Sequence, residues 1–201
     1  ISVVCLCCTC MGCSKTKSTG STSITLNEVA HSVFYAPQYA AIELGYFKEE
    51  GIDLTLVTGF GADNVMTSLI SDDAQIGLMG SESSIYVYAQ GASDYAVNFA
   101  QLTQRAGNVL VSRTAEDDFS WENLRGKTIL GGRAGGMPEM VFEYILKKNG
   151  IDPQKDLTID QSIDFGSTAA AFTGDDSAAY TVEFEPSATT VSYTHLTLPT
   201  T

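Results

Sequence analysis

Beyond residue 13 the chain has no cysteine: all five, Cys5, Cys7, Cys8, Cys10 and Cys13, crowd its beginning. A disulfide framework and a cysteine-ligated metal are therefore excluded from the folded body. Basic residues are scarce as well, with 11 Lys and Arg against 24 Asp and Glu, for a net charge of −13. Binding a phosphate backbone needs clustered cations, so no nucleic-acid partner is expected. Histidine occurs only at His31 and His195, and neither G-x-S-x-G nor H-E-x-x-H is present. The chain is read as a non-enzyme that needs no cofactor or metal. Long apolar runs are missing too, since the opening ISVVCLCCTCMGC covers 13 residues and a bilayer-spanning helix needs about 20. What remains is a globular composition, 44% hydrophobic with 9% aromatics over 201 residues, enough to close a core.

The apolar opening gives way at once to polar SKTKSTGSTS, as the end of a secretory hydrophobic segment does. Gly12 before Cys13 resembles the lipobox of bacterial lipoproteins, in which the cysteine becomes the lipidated first residue. Cys10 stands where that box usually has leucine. Residues 1–13 are thus expected to be a partial lipoprotein signal peptide, Cys13 the lipidation site, and 14–22 a flexible linker. The competing account, a metal-binding cysteine tract, finds no histidine or acid nearby.

The stretch HSVFYAPQYAAIELGYFKEEGIDLTLVTGFGADNVMTSLISDDAQIGLMG, residues 31–80, organises the rest. A strand around 24–30 leads into an aromatic loop at 31–36. A helix then starts at Pro37, carries Ala40, Leu44 and Phe47 on its inner face and stops at Gly51. Ile52, Leu54 and Leu56 alternate with polar residues as a second strand. The glycine loop Gly59-Phe60-Gly61 feeds a second helix with Val65, Met66, Leu69 and Ile70 inward. A third strand over 75–79 meets a helix opened by Gly80-Ser81-Glu82-Ser83-Ser84. This strand–helix alternation predicts an α/β fold with parallel βαβ units, whose ligands collect at the carboxyl ends of the strands.

Extended segments follow at 95–104 and 108–113, the second leading out of this unit. The pattern restarts with a helical turn at 121–124, a strand at 128–132 and a loop at 133–136. A helix then shows Met137, Val141, Tyr144 and Ile145 on one face, with Pro138 in its first turn and Gly150 past its end. A strand at 157–163, a helix at 168–172 and a strand at 178–184 complete a second unit. The boundaries read as lobe 1 over 23–112 and lobe 2 over 113–190, with the Thr-rich ending 191–201 set apart as a non-native tail.

Four segments carry a resemblance: HSVFYAPQYAAIELGYFKEEGID, NVMTSLISDDAQIGLMG, LRGKTILGGRAGGMP and AAYTVEFEP. Over residues 24–188 the chain resembles substrate-binding proteins of ABC importers for nitrate, sulfonates, taurine, bicarbonate and thiamine-pyrimidine precursors. The resemblance implies a periplasmic-binding-protein type II fold, two α/β lobes hinged around a ligand cleft. Family members cross back to lobe 1 after lobe 2, and here that second crossover is expected to be missing. It implies capture of a small solute for a membrane permease by a lipid-anchored, extracytoplasmic monomer. Nitrate, sulfonate or taurine is the first expectation for the solute. A pyrimidine-like thiamine precursor is the alternative, and a pyrimidine synthase-like enzyme is set aside because the cysteines that chemistry uses have no counterpart in the body.

The candidate ligand-binding residues are His31, Phe34, Tyr35, Tyr39, Phe60, Gly80, Ser81, Ser83, Arg133, Gly135, Gly136, Met137 and Glu185. The aromatics offer apolar area with a hydroxyl handle. Gly80-Ser81 and Gly135-Gly136-Met137 open helices, whose free amides favour an acceptor. Against this, Glu82 in the first of those turns argues against a strongly anionic ligand there. Glu183 and Glu185 are placed to accept from a ligand amine. Each also has an ordinary structural reading: Phe34 and Tyr39 as core, Ser81 as an N-cap, the glutamates as salt-bridge partners.

Overall fold

The computed structural model describes residues 20–105, 107–164 and 166–196, with side chains through residue 193. The expected signal segment 1–13, its Cys13 and most of the linker 14–22 lie outside these residues. Strands β1 (Thr22–Glu28), β2 (Ile52–Thr58) and β3 (Ile76–Leu78) form a parallel sheet in the order β2-β1-β3. The alternation in β2 survives intact, with Ile52, Leu54 and Leu56 inward and Asp53, Thr55 and Val57 outward. Helices α1 (Ala36–Glu43) and α2 (Tyr46–Glu49) connect β1 to β2, α3 (Ala62–Ile70) connects β2 to β3, and α4 (Glu82–Ala89) leaves β3.

Four readings of this lobe need correction. The single helix expected from Pro37 to Gly51 is split at Gly45, whose φ of 79° is left-handed and caps α1. Its expected inner face is also rotated: Ala40 and Leu44 point outward, Leu44 with 62% exposure, and Gln38 is buried instead. The cause is polar, because Gln38 turns inward to donate to a carboxylate at the end of β1. On α3, Val65 and Met66 are buried as expected, while Ile70 in the last turn is exposed. Residues 95–104 run without regular secondary structure.

Strands β4 (Asn108–Ser112), β5 (Thr128–Leu130), β6 (Thr158–Asp160) and β7 (Tyr180–Phe184) build a second sheet in the order β4-β7-β5-β6. Here β4 runs antiparallel to β7, and the other pairings are parallel. The lobe boundary expected after residue 112 therefore moves to before Asn108, because β4 gives its whole ladder to β7. Arg113 locks that junction: its guanidinium donates to the carbonyls of Phe172, Asp175 and Ala178, pairs with Asp176 at 2.9 Å and lies 4.0 Å over the Phe172 ring.

Helix α5 (Met137–Lys148) buries Phe142 and Leu146 in a core with Leu124, Ile129, Ile151, Leu157, Tyr180 and Val182. The expected stripe of Met137, Val141 and Tyr144 is displaced by one position around the helix, and Tyr144 is exposed. The reason is that α5 has a second neighbour, since Met137 and Val141 face the other lobe across a cavity. Helices α6 (Thr168–Gly174) and α7 (Ser187–Leu196) close the other side of the sheet around Phe172, Leu130 and Val111. Helix α7 runs through residue 190, and Val191, within the segment set apart as a tail, is fully buried. No helix among the described residues is long and apolar enough to cross a membrane.

Candidate functional site

The carboxyl ends of β1, β2, β3, β5 and β7 converge on a cavity of about 600 Å³ between the lobes. The first lobe contributes Ser32, Phe34 and Tyr35 after β1, Gly61 and Ala62 after β2, and Met79, Gly80, Ser81 and Glu82 after β3. Facing them are Arg133, Gly136, Met137, Pro138 and Val141 after β5, and Phe184 at the end of β7, with 98–105 along a third side. Such a position at the ends of parallel strands is where α/β sheets place ligands.

The aromatic wall hangs on a buried acid that the strand pattern gave no reason to single out. Glu28, at the end of β1, is fully buried. Gln38 Nε2 and the Tyr39 hydroxyl donate to its Oε2 at 2.9 Å each, the Thr58 hydroxyl donates to Oε1 at 3.4 Å, and His31 Nδ1 lies 3.0 Å from Oε1. The Tyr39 oxygen in turn accepts from the Ser32 amide at 3.0 Å, and Ser32 Oγ accepts from the Phe34 amide at 3.3 Å. A short 3-10 turn at Val33–Tyr35 results, and it presents Phe34 and Tyr35 to the cavity. Phe34 packs 5.6 Å from the Tyr35 ring and 5.7 Å from Phe184 of the second lobe. The Tyr35 hydroxyl is pushed up to about 12 by burial, with the charges of Glu28, Tyr39 and Glu82 adding to the effect.

Two helix starts face each other across the space. Neither α4, entered through Ser81, nor α5, entered through Gly136, has a side-chain cap, and their opening amides, those of Glu82 and Met137, face one carboxylate. Between them lies the Glu82 carboxylate. Glu82 is 3% exposed, and neither oxygen receives a hydrogen bond of ordinary geometry. Burial raises its pKa above the usual carboxylate range, although its own amide and that of Met137 favour ionisation. The side chain folds back over Gly80, where an added Cβ would come within 2.0 Å of Oε2.

Contacts between the lobes flank this centre. Arg133 Nη2 donates to Asp63 Oδ2 of the first lobe at 2.7 Å, and Nη1 to Asp164 of its own lobe. Asp63 sits in the first turn of α3. Burial raises its pKa, but the Arg133 hydrogen bond and charge, with nearby amides, outweigh that and hold it below the normal value. The close approach needs a bare backbone at Gly61, whose added Cβ would lie 3.1 Å from Arg133 Cδ. The Tyr86 hydroxyl meets Met140 Sδ at 3.3 Å, a second bridge between lobes. Arg105 also lines the cavity, and no ion pair engages it among the described residues.

Comparison with known proteins matches residues 33–190 to the family described as NMT1/THI5 like. The chain belongs to this family. A curated relative, YtlA of Bacillus subtilis (strain 168), is 52% identical over 167 residues, which cover 83% of this chain and 50% of that one. Among solved structures, a protein of Bordetella bronchiseptica RB50 superposes with a TM-score of 0.68 at 17% identity, covering 86% of this chain and 54% of the other. The alkanesulfonate-binding protein SsuA from Xanthomonas axonopodis pv. citri, bound to MOPS, gives 0.61 at 14% identity over 89% and 60%. This NMT1/THI5-like chain therefore has the periplasmic-binding-protein type II fold, and it spans between half and three fifths of the length of these relatives.

Of the residues named from sequence, the NMT1/THI5-like fold gathers Phe34, Tyr35, Gly80, Ser81, Arg133, Gly136 and Met137 around one cavity. The others stand elsewhere. His31, with its side chain 70% exposed, and Tyr39 are engaged by Glu28. Phe60 is an exposed loop tip with φ 57°. Ser83 is buried in the first turn of α4, and a Cβ added to Gly135 would lie 3.9 Å from the Tyr86 ring. Glu185 accepts from the Thr189 amide and hydroxyl and lines a separate groove beside β4 with Val109, Phe119 and Tyr193. Glu183 is buried within β7, where burial raises its pKa against the hydroxyls of Thr181 and Thr168.

Proposed function

We propose that the chain is the ligand-capturing part of a substrate-binding protein that delivers a small solute to the permease of an ABC importer. The observation that carries this reading is the cavity between the lobes, lined from both sides and flanked by the Asp63–Arg133 and Tyr86–Met140 contacts. Groups that touch a ligand and each other across a hinge favour closure when the ligand binds, and a permease can recognise the closed form. Lipid attachment at Cys13 outside the cytoplasm, and a monomeric state, complete the proposal.

For the solute, a sulfonate, nitrate or taurine is supported by the sulfonate bound in the structurally similar protein from Xanthomonas and by Arg105 at the cavity. A pyrimidine-like ring is the second reading, and the Phe34–Tyr35–Phe184 wall beside a buried carboxylate favours it. Ligand-induced stabilisation of the whole protein tests capture: at a hundredfold over Kd a true ligand adds about 2.7 kcal/mol. Absence of any thermal shift across sulfonate, nitrate and pyrimidine probes would overturn the reading. Palmitate labelling of the parent and of Cys13→Ala tests the anchor, and equal label in both would refute it.

A further inference from the structure

We propose that Glu82 determines the specificity of the cleft, selecting solutes that offer N–H donors, an amine or an amino-substituted ring, over solutes that only accept. This rests on the solute-receptor reading above and deepens it. A buried carboxylate ordinarily collects donors from its surroundings, because leaving its lone pairs unmet costs the desolvation of a charged group. Glu28 follows that rule, with the side chains of Gln38, Tyr39, Thr58 and His31 arranged around it. Glu82 breaks it: it is just as enclosed, yet among the described residues no side chain donates to it, and it lines the cavity. Beside its own amide and that of Met137, the cavity that Glu82 lines is the direction from which further donors can arrive.

The surroundings agree with a ligand that donates. Arg133 is already committed to two carboxylates, Asp63 and Asp164, so it is not a bare cation awaiting an anion. The carboxylate also occupies the helix starts of α4 and α5, facing the amides of Glu82 and Met137, where an incoming anion would meet like charge. Phe34 and Tyr35 supply a flat apolar surface on the same side of the cleft, suited to the body of a ring or short chain behind the donor group. Gly80 is part of the device, since only a residue without Cβ leaves room for the carboxylate to fold back as it does.

Calorimetric titration of the whole protein with two matched pairs tests this: taurine against ethanesulfonate, and 4-aminopyrimidine against pyrimidine. Within a pair the molecules differ chiefly in the N–H donor. At least one donor-bearing member is expected to bind about tenfold or more tightly than its partner, since a buried acceptor left unpaired discriminates by at least that factor. Glu82→Gln should collapse the ratio toward unity, and Gly80→Ala should do the same with the charge retained, by displacing the carboxylate. Unchanged helical circular dichroism in both variants shows that the fold is kept. Should the bare partner bind as tightly as the amine, or the ratio survive both substitutions, the role of Glu82 is overturned while the receptor reading stands. Binding by none of the four probes would overturn both.

Discussion

The two lobes share an architecture of parallel strands and crossing helices, but they fill their interiors with different chemistry. In the second lobe Leu124, Ile129, Leu146, Ile151, Phe172 and Val191 are sealed from water, with Phe142, Tyr180 and Val182 packed among them. The first lobe has Leu26, Val65, Met66 and little else of that size, while Glu28, Asn27, Gln38, Glu82, Ser83 and Ser84 are buried, against Glu139, Thr168, Thr181 and Glu183 beside the larger apolar core of the second. Its outer surface meanwhile exposes Val33, Leu44, Ile85, Tyr88, Val97 and Phe99. Apolar burial stabilises in proportion to area, so the second lobe is the thermodynamic anchor. A buried polar network adds little net stability but fixes geometry, because each misplaced group becomes an unmet donor or acceptor. The first lobe is built to hold a site in shape.

The sharpest way to break this contrast is to cut a core side chain in each lobe. Phe172→Ala should cost about 3–5 kcal/mol in urea unfolding, because the surrounding cavity cannot fully collapse, whereas Val65→Ala should cost about 2 kcal/mol. Equal losses would show that the lobes are stabilised alike. Next in size, Glu28→Ala leaves Gln38 and Tyr39 without their shared acceptor and is expected to cost about 2 kcal/mol. Because the same network presents Phe34 and Tyr35, ligand affinity should fall further than that stability loss explains, and an unchanged Kd would refute the scaffold role.

Smaller still is Asp63→Asn. Both partners of the Arg133 pair are partly exposed, so solvent screening limits the loss to about 0.5 kcal/mol. Its signature is shape: small-angle scattering should report a larger radius of gyration as the lobes separate, and no change would remove Asp63 from the closure mechanism. The subtlest test compares the pH dependence of the parent with that of Glu82→Gln. The folded-state pKa of Glu82 is raised above 4.5, so the folded state binds its proton more tightly than the unfolded chain. Relative to the variant, the parent is therefore most stable below 4.5 and loses that margin as pH rises through the raised value. A Tm difference independent of pH would show that Glu82 is not desolvated.

Much of this arrangement was legible in the residue order. Pro37, Gly51, Pro138 and Gly150 mark helix boundaries, and the alternation from Ile52 to Leu56 marks β2 and its inner face. Strand–helix alternation pointed the loops after β1, β2 and β3 at one crevice, and the family resemblance set Arg133, Gly136 and Met137 across from them; together these supply the seven named residues that line one cavity. Other features were illegible for a common reason. His31 and Tyr39 look like ligand contacts until Glu28 is seen to engage them, and Glu185 looks like a cleft acid until Thr189 is seen to donate to it. The rotation of α1 follows from Gln38 finding Glu28, and the shifted face of α5 from Val141 meeting a cavity behind it.

By itself, then, the sequence determined the elements, their order and the loops at the carboxyl ends of the strands. Those follow from periodicity and backbone chemistry, which act over a few residues. Only the tertiary structure decided which polar groups remain available to a ligand. That depends on partners far apart in the chain, such as Thr58 with Glu28 or Arg133 with Asp63, and a hydrogen-bond donor satisfied inside the protein is no longer offered to the cleft.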